Sequence, residues 1–102
     1  MTNSCITIID NIIAKSGCGE YEMSHATTLY LSDNQRKSLG YDCITYYRGG
    51  DGYPGACFVK ERTSFNGYGV LRERVSYATP EEFLGILNTQ RYSGGMWRPA
   101  EE

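Results

Sequence analysis

The sequence predicts an α+β fold: a four-stranded antiparallel sheet with an N-terminal and a C-terminal helix packed on one of its faces. Three observations carry this. Apolar residues near the N-terminus recur at helical spacing, as Cys5, Ile8, Ile9, Ile12 and Ile13. Four segments between residues 22 and 78 read as strands, and the last two flank Asn66-Gly67. A helix start with every signal present, Thr79-Pro80-Glu81-Glu82, follows the fourth strand. The 102 residues are expected to form one domain, residues 1–102, with residues 93–102 as a loosely attached tail.

The first element is expected as a helix over residues 4–15, with a strand as the alternative because its many isoleucines lower helix propensity. Its apolar positions follow i, i+3, i+4, i+7, i+8, while Thr7, Asp10 and Asn11 fall on the other side. Asn3 or Ser4 can cap its start and Gly17 its end. Residues 22–31 alternate, with Met23, Leu29 and Leu31 opposed to Ser24, Thr28 and Tyr30, and read as a strand. Ser32-Asp33-Asn34-Gln35 has the form of a capping box and Gly40 that of a stop, so a short helix or turn leads to a second strand over residues 41–48. Residues 49–55, with four glycines, Asp51, Tyr53 and Pro54, form a loop.

Residues 56–65 and 68–78 make a hairpin around Asn66-Gly67, a pair that suits a two-residue turn. That turn sets Phe65 against Tyr68, Lys60 against Glu73 and Glu61 against Arg72, two complementary charge pairs worth about 0.2–1 kcal/mol each. It also sets Phe58 against Val75 and Ala56 against Tyr77 as the core face, with Glu61, Arg72 and Arg74 on the other. The last helix takes Thr79 as N-cap, Pro80 at N1 and Glu82 at N3, and presents Phe83, Ile86, Leu87 and Gln90 inward, with Gly94 or Gly95 ending it.

Composition narrows the function classes. Ten basic against twelve acidic residues give a net charge of −2, too balanced for a dedicated nucleic-acid binder with clustered positive charge and too weak for a carboxylate-covered DNA mimic. No apolar run approaches the roughly 20 residues of a membrane span, and the basic segment that opens a signal peptide is lacking. A cytoplasmic location is expected, with Cys5, Cys18, Cys43 and Cys57 as reduced thiols. Nine tyrosines suit either sheet packing or a recognition surface.

Candidate catalytic and metal-binding residues are few. His25 is the single histidine, and Cys18 sits in the small-residue turn Ser16-Gly17-Cys18-Gly19, so a Cys18/His25 dyad is chemically conceivable. A turn cysteine and an ordinary strand histidine account for the same residues. No two cysteines have zinc-ligand spacing, Asp51 is alone in its loop against the several carboxylates of a calcium loop, and no cofactor is implied. The glycine-rich loop lacks the lysine and serine that would make it a phosphate cradle.

What remains is a surface of tyrosine and arginine. Tyr46, Tyr47, Arg48, Tyr53, Arg72 and Arg74 are expected to lie beside one loop and on one sheet face as partner-binding residues, and both residue types favour contact hot spots. With Tyr30 the same face could stack bases and meet phosphates. In size, acidity and compact α+β organisation, though in no motif, the chain resembles small phage and mobile-element anti-defence proteins, including anti-CRISPR proteins. That resemblance implies a non-catalytic inhibitor that occludes a host protein or ribonucleoprotein complex in the host cytoplasm. The alternatives are an RNA- or DNA-binding module using the tyrosine and arginine face, and a cysteine-dependent enzyme. Exposed edge strands would also permit a homodimer.

Overall fold

Helical spacing of the isoleucines produces α1 (Thr2–Lys15), which turns Cys5, Ile9 and Ile13 into the core and leaves Ile8 in water. The computed structural model describes residues 2–49 and 55–100. A five-residue helix, α2 (Glu20–Ser24), precedes β1 (Ala26–Tyr30). The strand expected from residue 22 therefore starts later. Glu20 and Glu22 favour the positive end of a short helix instead, and Met23, expected on one strand face with Leu29 and Leu31, lies in that helix and is exposed.

Ser32 then caps α3 (Asp33–Leu39) with both contacts of a capping box. Its side chain accepts from the Gln35 amide, and the Gln35 side chain accepts from the Ser32 amide. Gly40 ends the helix at φ 83°, a left-handed conformation that glycine adopts without strain. The chain continues through β2 (Cys43–Tyr47), β3 (Cys57–Asn66) and β4 (Gly69–Ala78) to α4 (Pro80–Leu87), where Thr79 accepts from the Glu82 amide at 3.1 Å as N-cap.

The sheet has six strands, not four, and is mixed. Its order is β4-β3-β2-β1-β6-β5. Of the two additional strands, β5 (Gln90–Ser93) falls at the expected end of the last helix, and β6 (Met96–Pro99) lies within residues 93–102, the region expected as a loose tail. Gly94 and Gly95, at φ 63° and 81°, turn the chain between them, and β6 lies parallel to β1 with Trp97 beside Leu29. Four-residue strands are too short to show an alternation in the sequence, and α4 stops at Leu87, so Gln90 belongs to β5 rather than to a helical stripe.

One face of the sheet carries the core. Ile9 and Ile13 of α1 and Phe83 and Leu87 of α4 pack on Leu29, Ile44, Phe58 and Trp97. Tyr46 belongs to the same cluster. Its ring stacks on Phe58 at 4.6 Å between centroids and meets Phe83 edge-on at 5.8 Å. Among the described residues no helix is long and apolar enough to cross a membrane.

The β3–β4 register is shifted from the expected one. Gly67 and Tyr68 form the turn, Asn66 pairs with Gly69, and Phe65 pairs with Val70. The positive φ falls on Gly69 (128°), in the manner of a turn followed by a glycine bulge. Glu61 therefore faces Arg74 and Arg62 faces Glu73. An irregularity between Lys60 and Glu61 then sets Phe58 against Ala78 and Val59 against Tyr77. Val75 and Tyr77 are consequently exposed and not in the core, because β4 is an edge strand outside the helical layer.

Candidate functional site: the concave sheet face

The face away from the core helices holds the polar residues of the central strands. Successive strand side chains alternate between faces. With Leu29, Ile44 and Phe58 turned to the helices, Thr28, Tyr30, Cys43, Thr45, Tyr47, Val59 and Glu61 lie on this second face, joined by Arg72 and Arg74 from β4. On a flat sheet β4 would stand about 14 Å from β1, three strand spacings away. Yet Arg72 Nη1 donates to Thr28 Oγ1 at 3.0 Å and Nη2 to the Tyr30 hydroxyl at 3.1 Å, both on β1. One arginine side chain does not span three spacings, so the sheet curls and this face is concave.

Glu61 lies on the floor of the curl at 5% exposure. A buried carboxylate needs donors, and four groups surround it. Thr45 donates to Oε1 at 2.6 Å and Tyr47 to Oε2 at 2.8 Å, the Cys43 thiol lies 3.8 Å from Oε1, and Arg72 Nη1 is 3.6 Å from the same oxygen. Thr28 and Thr45 hydroxyls are 2.9 Å apart. Since Thr45 gives its proton to Glu61, Thr28 donates to Thr45, and Arg72 donates to Thr28. The chain from Arg72 through two threonines to Glu61 runs in one direction, an arrangement in which each bond polarises the next.

Burial, and after it the neighbouring Glu61 carboxylate, pushes the Cys43 thiol up to about 12 from its ordinary 9.0. Burial tends to lower the Arg72 pKa, but Tyr30, Cys43, Glu61 and Tyr47 outweigh it and the guanidinium is held charged more firmly. A testable consequence concerns alkaline stability. Between pH 9 and about 12 the native thiol keeps its proton while an unfolded chain releases it. The native state then binds more protons, so stability falls as pH rises through that window, by at most about 1.4 kcal/mol per pH unit, and the contribution is fully present below it. Urea unfolding at pH 8 and pH 11 should show a smaller loss in Cys43→Val than in the parent. Equal losses would remove Cys43 from the account.

The residues expected to share one contact surface are divided. Tyr47, Arg72 and Arg74 lie on the concave face, and Arg74 donates to the Tyr77 hydroxyl at 2.8 Å. Tyr46 is turned into the core, and burial raises its phenol pKa. Arg48 is also on the helical side. Its guanidinium donates to the Glu22 carbonyl and to Thr27 Oγ1, lies 3.8 Å from Asp10 and covers the Tyr46 ring at 4.4 Å, tying α1, α2 and β1 together. Tyr53 and Asp51, with residue 50 and Pro54, lie outside the described residues. The base of their loop is pinched, since a Cβ on Gly49 would stand 3.3 Å from Gly55 Cα.

Cys18 and His25 are each engaged elsewhere. The Cys18 thiol points to the Ile13 carbonyl at 3.5 Å, while His25 meets Ser24 at 2.8 Å and stacks on Tyr21. Among the described residues no three His, Cys, Asp or Glu side chains gather as metal ligands. Sequence reasoning missed the Glu61 network, and it missed the outer half of the β3–β4 hairpin, where Phe65 is 80% exposed, Val70 62% and Leu71 53%. Their signal in the sequence was an apolar run on both sides of a turn. Comparison with protein-family models, curated proteins and solved structures gives no match.

Proposed function

We propose that the chain is a non-catalytic binding protein that docks on a host protein or ribonucleoprotein complex and blocks it by occlusion. The observation that carries this reading is the hairpin arm. Phe65 and Val70 form a cross-strand pair in water, with Leu71 and Tyr68 beside them at the turn. Apolar surface gathered at the end of a two-stranded arm contributes little to the fold and suits insertion into a partner's cleft.

The edge of β4 adds a second mode of contact, since an edge strand can pair with an extended segment of another protein. A foreign partner suits this edge better than a second copy. Two copies paired about Glu73 would oppose like charges, glutamate to glutamate and Arg72 to Arg74, which disfavours pairing. Steric blocking of a host machine, as in the anti-defence proteins the chain resembles in overall style, needs such a surface and no chemistry.

The test uses Phe65→Thr/Val70→Thr, which keeps strand propensity while removing apolar area. Immobilised parent protein should retain a defined host complex from bacterial lysate, identified by mass spectrometry, and the double variant should lose it with its thermal unfolding unchanged. Retention of the same complex by the variant would overturn the arm as the docking element.

A further inference from the structure

We infer that the concave face carries a track for single-stranded nucleic acid, running from Arg74 and Arg72 on β4 over Tyr30 to Arg98 on β6 and Arg91 on β5. The inference stands on charge placement and strand register and is independent of the hairpin arm.

Charge in this molecule is unevenly placed. The helices carry Asp10, Glu20, Glu22, Asp33, Glu81 and Glu82 together with Lys15, Arg36 and Lys37, while Arg48 lies near Asp10 and Lys60 2.7 Å from Glu82. The concave face carries Arg72, Arg74, Arg91 and Arg98, against which the described strands set one acid, the buried Glu61. A net charge of −2 conceals this placement, and a local field rather than a net charge attracts a polyanion.

Register aligns these groups. Arg91 and Arg98 are direct cross-strand partners on the β5–β6 hairpin, on the face opposite Tyr92 and Trp97. Like charges directly opposed weaken a strand pair, and neither arginine has an ion-pair partner among the described residues. Arg98 Nε donates to the Ser93 carbonyl at 3.3 Å, but among the described residues neither guanidinium meets an opposite charge, which an anionic ligand would supply. The parallel register that sets Leu29 beside Trp97 brings Tyr30 and Arg98 next to each other one step on, facing the concave side. Arg72 lies over the other end of the same tyrosine, with its guanidinium carbon 5.9 Å from the ring centroid. Arg74 stands 5.2 Å from the ring centroid of Tyr77, which is more than half exposed.

Alternating guanidinium and phenol groups along a trough match a ligand that alternates anions with flat rings. Phosphates meet the arginines, and unpaired bases stack on tyrosine rings and guanidinium planes. An acidic peptide would satisfy the charges and leave the ring faces unused.

The experiment is fluorescence anisotropy with labelled oligothymidylate and oligouridylate of about 12 nucleotides, within the usual site sizes of single-strand binders. Saturable binding near 50 mM salt is expected, with a log–log salt slope of about −2 to −3, the release expected from three to four phosphate contacts. The two oligonucleotides separate a DNA from an RNA ligand, and tight binding of either supports the track. Arg91→Glu/Arg98→Glu, on exposed positions that make no contact with Glu61, should weaken binding at least about tenfold with an unchanged circular dichroism spectrum, and Arg91→Gln/Arg98→Gln serves should the reversal disturb folding. The arm variant Phe65→Thr/Val70→Thr keeps every arginine and should bind as the parent does, so the two proposals fail separately. Absence of saturable binding, unchanged affinity in both arginine variants, or equal affinity for a glutamate-rich peptide of the same length would each overturn the inference.

Discussion

Replacing Arg72 with methionine is expected to destabilise the fold by about 3 kcal/mol, the low end of what breaking a buried ion pair costs. That is a large effect for a side chain 38% exposed on an edge strand. The reason lies in what stays behind. Glu61 remains on the floor of the curl with its charge, keeping Thr45 and Tyr47 as donors but losing the guanidinium and the orientation of Thr28 that Arg72 imposes. The β4 strand also loses its ties to Thr28 and Tyr30, the contacts that fold the sheet over on itself. Because the penalty comes from a buried carboxylate that has lost its counter-charge, removing the carboxylate as well should relieve it. Glu61→Leu/Arg72→Met is expected to recover most of the loss, since an apolar pair of similar volume often replaces a buried ion pair at little cost. Urea unfolding of the parent, both single variants and the double variant completes the cycle. An Arg72→Met protein within about 0.5 kcal/mol of the parent, the scale of an ordinary surface substitution, would show that the pair is a surface contact and the curl is held by other means. The same reasoning alters how a binding test should be built. Charge reversal at Arg72 and Arg74 together would mix unfolding with lost contact, whereas Arg74, whose guanidinium meets Tyr77, can be reversed alone.

Rules that act within a few residues were legible from the sequence. Thr79, Ser32 and Gly40 perform the capping roles their positions imply, because a cap depends on three or four consecutive residues. The class of fold followed from the same local signals. The register of β3 and β4 did not, and the reason is instructive. Charge alternates along both strands, so a slip of two residues trades the Lys60–Glu73 and Glu61–Arg72 pairs for Glu61–Arg74 and Arg62–Glu73. Complementary charges therefore agreed with more than one register and decided none. The division of Tyr46 from Tyr47 was available, since neighbouring strand residues point to opposite faces. The Glu61 network was not, because it needs the curl that brings β4 over β1. That curl exists only once Arg72 and the rest of the sheet are in place.

Replacing Trp97 with alanine is expected to cost about 3–5 kcal/mol, the range for removing a large buried aromatic. Trp97 is 3% exposed, meets Tyr92 edge-on at 5.4 Å between centroids, and stands beside Leu29 where the parallel strand joins the sheet. Two four-residue strands cannot hold themselves in place, because an isolated hairpin is marginal in water. The tryptophan thus anchors β5 and β6 on β1, assisted by Gln90 Nε2 donating to the Tyr30 carbonyl at 2.8 Å, while the Tyr92 hydroxyl ties β5 to α2 by donating to Glu22 at 2.8 Å. Phenylalanine offers the sharper comparison. The indole Nε1 is buried without a hydrogen-bond partner among the described residues, and an unmet buried donor costs about 1–3 kcal/mol. Trp97→Phe removes that penalty along with some volume, so its cost should be well under half that of Trp97→Ala. Chemical denaturation measures both, and limited proteolysis at the Gly94-Gly95 turn reports whether the hairpin has come away. A cost below about 1 kcal/mol for Trp97→Ala, small beside typical core truncations, with no gain in cleavage, would mean that the last strands hold without their anchor. Detachment would have a second consequence, because Arg91 and Arg98 reach the concave face only while Trp97 keeps β6 against β1. Loss of oligonucleotide binding in Trp97→Ala, with binding kept in Trp97→Phe, would tie the arginine row to the packing beneath it.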